Sequence, residues 1–309
     1  MLRPWLELAR ISNLPTVWTN VTAAWLLAGG SWNGDLAPRL QLAWLLLAGS
    51  LLYTGGMILN DAADVRHDRE HKKDRPIPSG KISPLAAWVV GLGMMAGGAW
   101  IGVFEAGASV PIVAALLAAI LFYDLYHKPW PGAVWVMGAC RVLLFSMAAS
   151  SLPTAGSGVP WWLDDLALPF ALTLGAYIVG LTMVARMEAK GAVVTPLRAF
   201  FAKALLYAPA VVGLVFWLSR ANWRLIPLLG DLTPLAPLPF LLVFIAMVLY
   251  ATRLMRQGGP AIGRAVGILL AGIAIVDALA VIQVSLPLAC GFVLMAPLLR
   301  LWQRWIAAT

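Results

Sequence analysis

The amino-acid sequence predicts an all-α, polytopic integral membrane protein, with one domain over residues 1–309 that forms a bundle of nine or ten transmembrane helices. Of its 309 residues, 61% are hydrophobic, and the mean hydropathy is +0.84. Only 12% are charged, about half the roughly 25% that is usual in soluble domains. Apolar segments long enough to cross a bilayer, about 20 residues, recur along the chain. A water-soluble fold could not bury this much apolar surface, whereas lipid can cover it.

The spanning helices are predicted between polar interruptions of the sequence. The first predicted segment carries the polar residues Asn13, Thr16 and Asn20, which are atypical of a cleaved signal peptide, so we interpret it as a helix of the mature protein. The last two segments could instead form one bent helix with an interfacial piece, which would give nine spans. In chain order the ten segments are 13–31, 40–60, 84–104, 109–127, 132–151, 166–186, 199–219, 237–256, 263–283 and 286–305.

The basic residues indicate an orientation. If the N-terminus is cytoplasmic, only Arg39, Arg220 and Arg224 of the 22 Lys and Arg residues fall at outer helix ends, and Arg141 falls inside a helix. This positive-inside bias predicts that both termini face the cytoplasm, and we expect the bacterial inner (plasma) membrane as the location. The same bias explains the net charge of +8, so no nucleic-acid partner is expected.

One polar loop concentrates the acidic residues. Residues 60–81 read NDAADVRHDREHKKDRPIPSGK and contain five of the 14 acids. Asn60, Asp64 and Asp68 are spaced i, i+4 and i+8, so a helix continuing out of the second span would place them on one face. Stacked oxygen-bearing side chains favour a hard cation such as Mg²⁺, and nearby basic residues could contact phosphate oxygens left free by the metal. The alternative is a solvated loop whose charges serve only topology.

This loop resembles a known motif. The pattern Asn-Asp-x-x-Asp-x-x-x-Asp at Asn60, Asp61, Asp64 and Asp68, followed by Asp-Arg-Pro-Ile-Pro-Ser-Gly-Lys-Ile-Ser, is similar to the first aspartate-rich motif of the UbiA prenyltransferase superfamily. The resemblance implies an all-helical fold, usually of nine spans, around a central cavity. It also implies Mg²⁺-dependent prenyl transfer from an isoprenoid diphosphate, with these four residues as metal ligands and Asp64 and Asp68 as catalytic residues.

Other positions match the family less closely. Tyr123 and Lys128 resemble its Tyr-x-x-x-Lys pattern with one extra residue between them, so Lys128 is a candidate catalytic residue near the diphosphate or, alternatively, an interfacial anchor. Arg10 and Asn13 resemble the family's Arg-x-x-Asn start, although a helix cap would look the same. The residues predicted to bind the diphosphate are Asn13, Arg66, Arg75, Lys81, Tyr123, Arg141, Arg186 and Lys190.

The second aspartate-rich motif of the family is missing. After the sixth predicted span stands Ala-Arg-Met-Glu-Ala-Lys-Gly, residues 185–191, a segment that resembles the EboC-like branch of the superfamily. Glu188 is a candidate metal ligand there, and Arg186 or Lys190 could supply the positive charge that a second Mg²⁺ supplies elsewhere. Loss of catalysis is the alternative.

Two charged residues, Arg141 and Asp277, lie deep in predicted spans, where a charge is costly and usually functional. They could pair with each other, or Arg141 could hold the diphosphate or the acceptor. The sequence thus favours a prenyltransferase with an isoprenoid diphosphate donor, an unknown acceptor and lipid around it. A secondary transporter and an inactive UbiA-like scaffold that binds prenyl lipids are the alternatives.

Overall fold

The computed structural model describes residues 2–31, 36–126, 130, 132–152, 160–164, 166–189, 196–220, 233–303 and 305, and the regular elements within these ranges are helical. Thirteen α-helices follow one another in these ranges, with short 3₁₀ turns at Ile11–Asn13 and Thr233–Leu235. The helices are α1 Leu2–Leu8, α2 Pro15–Leu27, α3 Leu36–Ala63, α4 Val65–His71, α5 Pro84–Trp100, α6 Val110–Tyr126, α7 Ala133–Ala149, α8 Ala167–Ala189, α9 Pro196–Arg220, α10 Pro237–Met255, α11 Pro260–Ala271, α12 Ile273–Val281 and α13 Leu286–Trp302.

The all-helical membrane fold predicted from the sequence is confirmed. Each of the ten predicted segments overlaps one α-helix or, at 263–283, the two helices α11 and α12, and in the segment 84–104 helix α5 continues into a π-helical turn at Ile101–Glu105. Among the described residues, six helical segments are long and apolar enough to cross a membrane: Leu36–Ala63, Pro84–Glu105, Ala167–Arg186, Pro196–Arg220, Pro237–Met255 and Pro260–Val281. Shorter apolar helices are Val110–Tyr126, Ala133–Ala149 and Leu286–Trp302.

Helix α2 lies at the centre of the bundle. Its residues Val17, Val21 and Trp25 are completely buried, and it packs against α3, α7 and α12. The indole nitrogen of Trp25 donates a hydrogen bond to Gln41 Oε1 at 3.2 Å, which satisfies a polar group that would be costly to bury alone. The polar residues of the first predicted segment therefore face other helices rather than lipid.

Two pairs of helices cross with their backbones in close approach. A Cβ atom at Gly55 of α3 would lie 2.9 Å from the carbonyl oxygen of Gly91 in α5, too close for any side chain. Gly138 of α7 and Gly175 of α8 meet in the same way, with a Cβ at Gly138 falling 2.8 Å from the Gly175 oxygen. Small residues allow membrane helices to pack closely where the hydrophobic effect does not drive their association.

The helical path continues from the end of α3 into the acidic loop. Asp64 lies between α3 and α4, yet its N–H donates to the Asn60 carbonyl at 3.1 Å, and the Asp68 N–H donates to the Asp64 carbonyl at 3.0 Å. The i, i+4, i+8 register predicted for these residues is therefore present in the backbone. The loop ends at Ser83, whose hydroxyl accepts a hydrogen bond from the Ala86 N–H at 3.1 Å and caps α5.

Candidate functional site

A cavity of about 390 Å³ lies between the segment 10–13, which precedes α2, and helices α3, α6, α7, α8 and α11. Most of its wall is apolar and includes Leu52, Leu116, Leu144, Ile178 and Leu270. Its polar lining residues are Arg10, Asn13, Tyr53, Tyr123, Asp124, Cys140, Arg141, Thr182 and Arg186. The space therefore suits a ligand with a hydrocarbon tail and an anionic head.

Three arginines supply the positive charge of this cavity. Arg186 near the end of α8 lies beside the Tyr123 side chain and interacts with it electrostatically. Arg141 of α7 donates from Nη2 to Thr16 Oγ1 at 3.0 Å and lies 5.7 Å from the centre of the Tyr53 ring. These contacts fix two guanidinium groups from different helices at the wall of one cavity.

The third arginine, Arg10, connects the cavity to the acidic loop. Its backbone φ of 46° lies in the left-handed region, which non-glycine residues rarely adopt and which is often found at functional sites. Its Nη2 atom lies 3.3 Å from Asp61 Oδ1. The Arg10 side chain therefore both lines the cavity and pairs with the carboxylate of Asp61.

Arg75 joins two buried carboxylates of the loop. Its Nη1 atom lies 3.0 Å from Asp61 Oδ1 and 2.7 Å from Asp68 Oδ2, and the two aspartates are 6% and 1% exposed. The pKa of Lys72 in the same loop is lowered, mainly by partial burial and to a smaller extent by repulsion from Arg75. The prediction that Arg75 binds the diphosphate is untested, and its contacts in this structure are carboxylates.

Asn60 pairs with an aspartate that the sequence analysis did not select. Its Nδ2 donates to Asp124 Oδ1 at 3.1 Å, and Asp124 is only 4% exposed. The signal was present in the sequence, because Asp124 is an acid inside the apolar segment 109–127. Its position near the segment end made it look like part of a polar boundary.

Asp64 and Arg66 line a second cavity of about 430 Å³. This outer cavity also contacts His67, Trp88 and Asp124, so Asp124 lies in the wall between the two cavities. Lys81 is exposed and lines neither of them.

Some predicted residues cannot be placed. Lys128 and Lys190 lie outside the described residues, and Glu188 is in α8 with its side chain outside the description.

Arg141 and Asp277 form no ion pair within 4 Å in the described structure, since Arg141 bonds to Thr16 and Asp277 is buried against α2. Asp277 Oδ2 has no hydrogen-bond partner there.

The loop oxygens are chemically suited to a hard cation. Carboxylate and amide oxygens are the protein ligands Mg²⁺ prefers, and Asp61 and Asp68 already converge on one nitrogen of Arg75. Within the described residues, no three His, Cys, Asp or Glu side chains form a ready metal-binding group. A cation bound by these carboxylates would therefore need a further ligand, such as the amide oxygen of Asn60, and a shift of Arg75.

Comparison with known proteins gives a consistent result. A profile of the UbiA prenyltransferase family matches residues 16–271. A digeranylgeranylglyceryl phosphate synthase from Metallosphaera sedula is 32% identical over 58% of this chain and 61% of its own length. The protein of that name from Methanopyrus kandleri is 31% identical over 49% of this chain and 55% of its length. The matched region thus spans less than two thirds of these relatives.

Solved structures share the fold. A UbiA homologue from Archaeoglobus fulgidus superposes with a TM-score of 0.58 at 14% identity, over 94% of this chain and 99% of that one. The homologue from Aeropyrum pernix K1 gives 0.56 at 17% identity, over 89% and 98%. The Archaeoglobus fulgidus homologue bound to GPP and Mg²⁺ gives 0.54 at 13% identity, over 94% and 99%.

Proposed function

Because this chain belongs to the UbiA prenyltransferase family, we propose that it transfers a prenyl group from an isoprenoid diphosphate to an acceptor in a Mg²⁺-dependent reaction. The observation that carries the proposal is the cavity with an apolar wall and three arginines, next to a cluster of aspartates. A prenyl tail and a diphosphate head match these two parts.

The arginines would bind the diphosphate. Guanidinium groups donate paired, charge-assisted hydrogen bonds to phosphate oxygens. Arg10 reaches the cavity from the segment before α2, Arg141 from α7 and Arg186 from α8. These arginines could therefore contact the diphosphate head from different directions. Arg186 would thereby supply positive charge in the segment where the family's second aspartate-rich motif is missing.

Asn60, Asp61, Asp64 and Asp68 would hold the Mg²⁺. Their oxygen chemistry fits, and a UbiA homologue has been solved with GPP and Mg²⁺ bound. When bound, the metal would act as a Lewis acid that stabilises negative charge on the leaving diphosphate. Arg75 would have to release Asp61 or Asp68 to admit it, which makes this arginine a candidate contact for the diphosphate once it is freed.

Several side chains of the protein would assist the transfer of the prenyl group. The bond between the allylic carbon and the diphosphate oxygen breaks, the electron pair leaves with the diphosphate, and the arginines stabilise the charge that develops there. The apolar wall excludes water that would otherwise trap the allylic cation. The rings of Tyr53 and Tyr123 line the same cavity and can stabilise the cation through their faces. The acceptor nucleophile then forms the new bond to carbon and releases a proton.

The acceptor is unidentified. Two of the relatives are named digeranylgeranylglyceryl phosphate synthase. Glycerophosphate lipids are therefore the first acceptors to screen. We propose the N-terminus and the acidic loop on the cytoplasmic side, from the positive-inside bias. The relatives are mostly archaeal, so they do not support the expected bacterial membrane.

Donor binding tests the proposal without knowledge of the acceptor. Geranylgeranyl diphosphate binding would be measured on purified protein in nanodiscs, with Mg²⁺ or with EDTA, for the wild type and Asp64→Ala. Glu70→Ala is the matched control, because Glu70 is a nearby exposed acid on α4. We expect binding that requires both Mg²⁺ and Asp64 and is unchanged in the control.

The result separates the alternatives. Absence of binding to prenyl diphosphates of any length would reject the enzyme and leave the transporter or the scaffold. Binding without turnover across the acceptor screen would favour the scaffold.

A further inference from the structure

The hydrogen bond between Asn60 and Asp124 joins the end of α3 to α6 across 64 residues of sequence. Both side chains are buried, at 7% and 4% exposure. The proposed mechanism assigns no role to Asp124, although it lies in the wall of both cavities. A buried acid at that position needs an explanation.

The chemistry of the pair fixes the direction of the amide. An ionised carboxylate only accepts hydrogen bonds, so Asn60 must turn its NH₂ group toward Asp124. The Nδ2–Oδ1 distance of 3.1 Å is that of such a bond. The amide oxygen of Asn60 is consequently turned away from Asp124, and no hydrogen bond to it is present among the described residues.

We propose that Asp124 is a positioning residue, which orients Asn60 so that its amide oxygen, and not its NH₂ group, is presented to a divalent cation. The proposal rests on the metal site of the proposed function and adds to it a residue outside the aspartate-rich motif. Without this bond the amide could rotate by half a turn and direct two N–H groups at the cation. Outer partners that orient ligands typically change metal affinity by about 10- to 100-fold.

The competing explanation is that Asp124 only joins α3 to α6. In that case any pair that restores the bond would serve equally, and loss of the bond would reduce stability without a specific effect on the metal. Exchange of the two residues distinguishes these explanations. In Asn60→Asp, two carboxylates face each other and repel. In the double variant Asn60→Asp/Asp124→Asn the bond returns, and a carboxylate oxygen now faces the cation.

The experiment measures binding of Mn²⁺ alone by the loss of its free electron paramagnetic resonance signal, without prenyl substrate. The proteins are the wild type, Asp124→Leu, Asn60→Asp, the double variant and Glu70→Ala as control. Thermal unfolding in detergent without added metal is recorded for each. We expect Asp124→Leu to weaken Mn²⁺ binding by about tenfold or more, Asn60→Asp to weaken it, and the double variant to restore it to wild-type affinity or better.

Two results would overturn the inference. One is wild-type Mn²⁺ affinity in a folded Asp124→Leu protein, which leaves the proposed metal site intact but removes Asp124 from it. If Asp124→Leu does not fold, the comparison of Asn60→Asp with the double variant decides, and failure of the second substitution to restore binding counts against the inference. Absence of Mn²⁺ binding by the wild type would reject both the metal site and this inference.

Discussion

The Nη1 atom of Arg75 lies 2.7 Å from Oδ2 of Asp68, a residue with only 1% of its surface exposed. The two residues are seven positions apart in the sequence, so the ion pair folds the loop after α4 back onto that helix. The same nitrogen contacts Asp61. One guanidinium group therefore balances two carboxylates that would otherwise repel each other at the proposed metal site.

Replacement of Arg75 should expose that repulsion. We expect Arg75→Met to reduce the free energy of unfolding by about 3 kcal/mol, since removal of one partner leaves a buried charge uncompensated. Mg²⁺ should raise the Tm of this variant more than that of the wild type, because a cation would take over the role of the guanidinium. Thermal unfolding in detergent, with and without Mg²⁺, measures both effects. Arg69→Met, at an exposed position of α4, is the control, and equal Tm values for both variants would contradict the expectation.

Arg186 should contribute directly to donor affinity. We expect Arg186→Met to weaken geranylgeranyl diphosphate binding by about tenfold or more, since hydrogen bonds to charged groups contribute roughly 1.5–3 kcal/mol. Equilibrium binding in nanodiscs measures the change. Arg198→Met on α9 removes an exposed arginine that does not line the cavity and should leave affinity unchanged. Equal losses in both variants would indicate a general charge effect instead.

The contribution of Arg141 to activity should depend on the planar shape of its guanidinium group. It bonds to both the carbonyl and the hydroxyl oxygen of Thr16 and lies over the Tyr53 ring, a set of contacts that a lysine cannot reproduce. We therefore expect Arg141→Met to lower kcat/KM by at least about tenfold, with little recovery in Arg141→Lys. Steady-state kinetics on an identified acceptor provide the measurement. Full activity of Arg141→Met would show that this arginine is structural.

The apolar wall should set the preferred length of the prenyl chain. Leu144 is buried and lines the cavity, so Leu144→Phe should shorten the space available to the tail. We expect the ratio of geranylgeranyl to dimethylallyl transfer to fall, as measured by competition between the two donors. Leu214→Phe enlarges an exposed residue on α9 outside the cavity and should leave the ratio unchanged.

Much of the fold could be predicted because hydropathy is a local property of the sequence. The ten predicted segments correspond to helices since each must be apolar over its own length, whatever its neighbours are. The division of the ninth segment was not predicted. A Cβ atom at Gly272, the residue between α11 and α12, would clash with Met247 and Tyr177, so the need for a glycine there depends on packing partners from other helices.

The candidate site was only partly predictable for the same reason. The register of Asn60, Asp64 and Asp68 follows from their spacing and is present in the backbone hydrogen bonds. The pairing of Asn60 with Asp124, and of Arg10 with Asp61, joins residues 64 and 51 positions apart. Such contacts depend on which helices become neighbours, and no local pattern encodes that.

The glycine contacts at Gly55–Gly91 and Gly138–Gly175 have a consequence for the surrounding lipid. Backbone atoms touch at these crossings, so the separation of the helices there cannot be adjusted by rotation of side chains. Helix α3 carries Asn60 and Asp61 of the motif, and α8 carries Arg186, from these fixed crossings. A thicker or thinner bilayer would be accommodated by tilt of the whole bundle or by deformation of the lipid. The spacing of the charged groups should thus remain constant across membranes of different acyl-chain length.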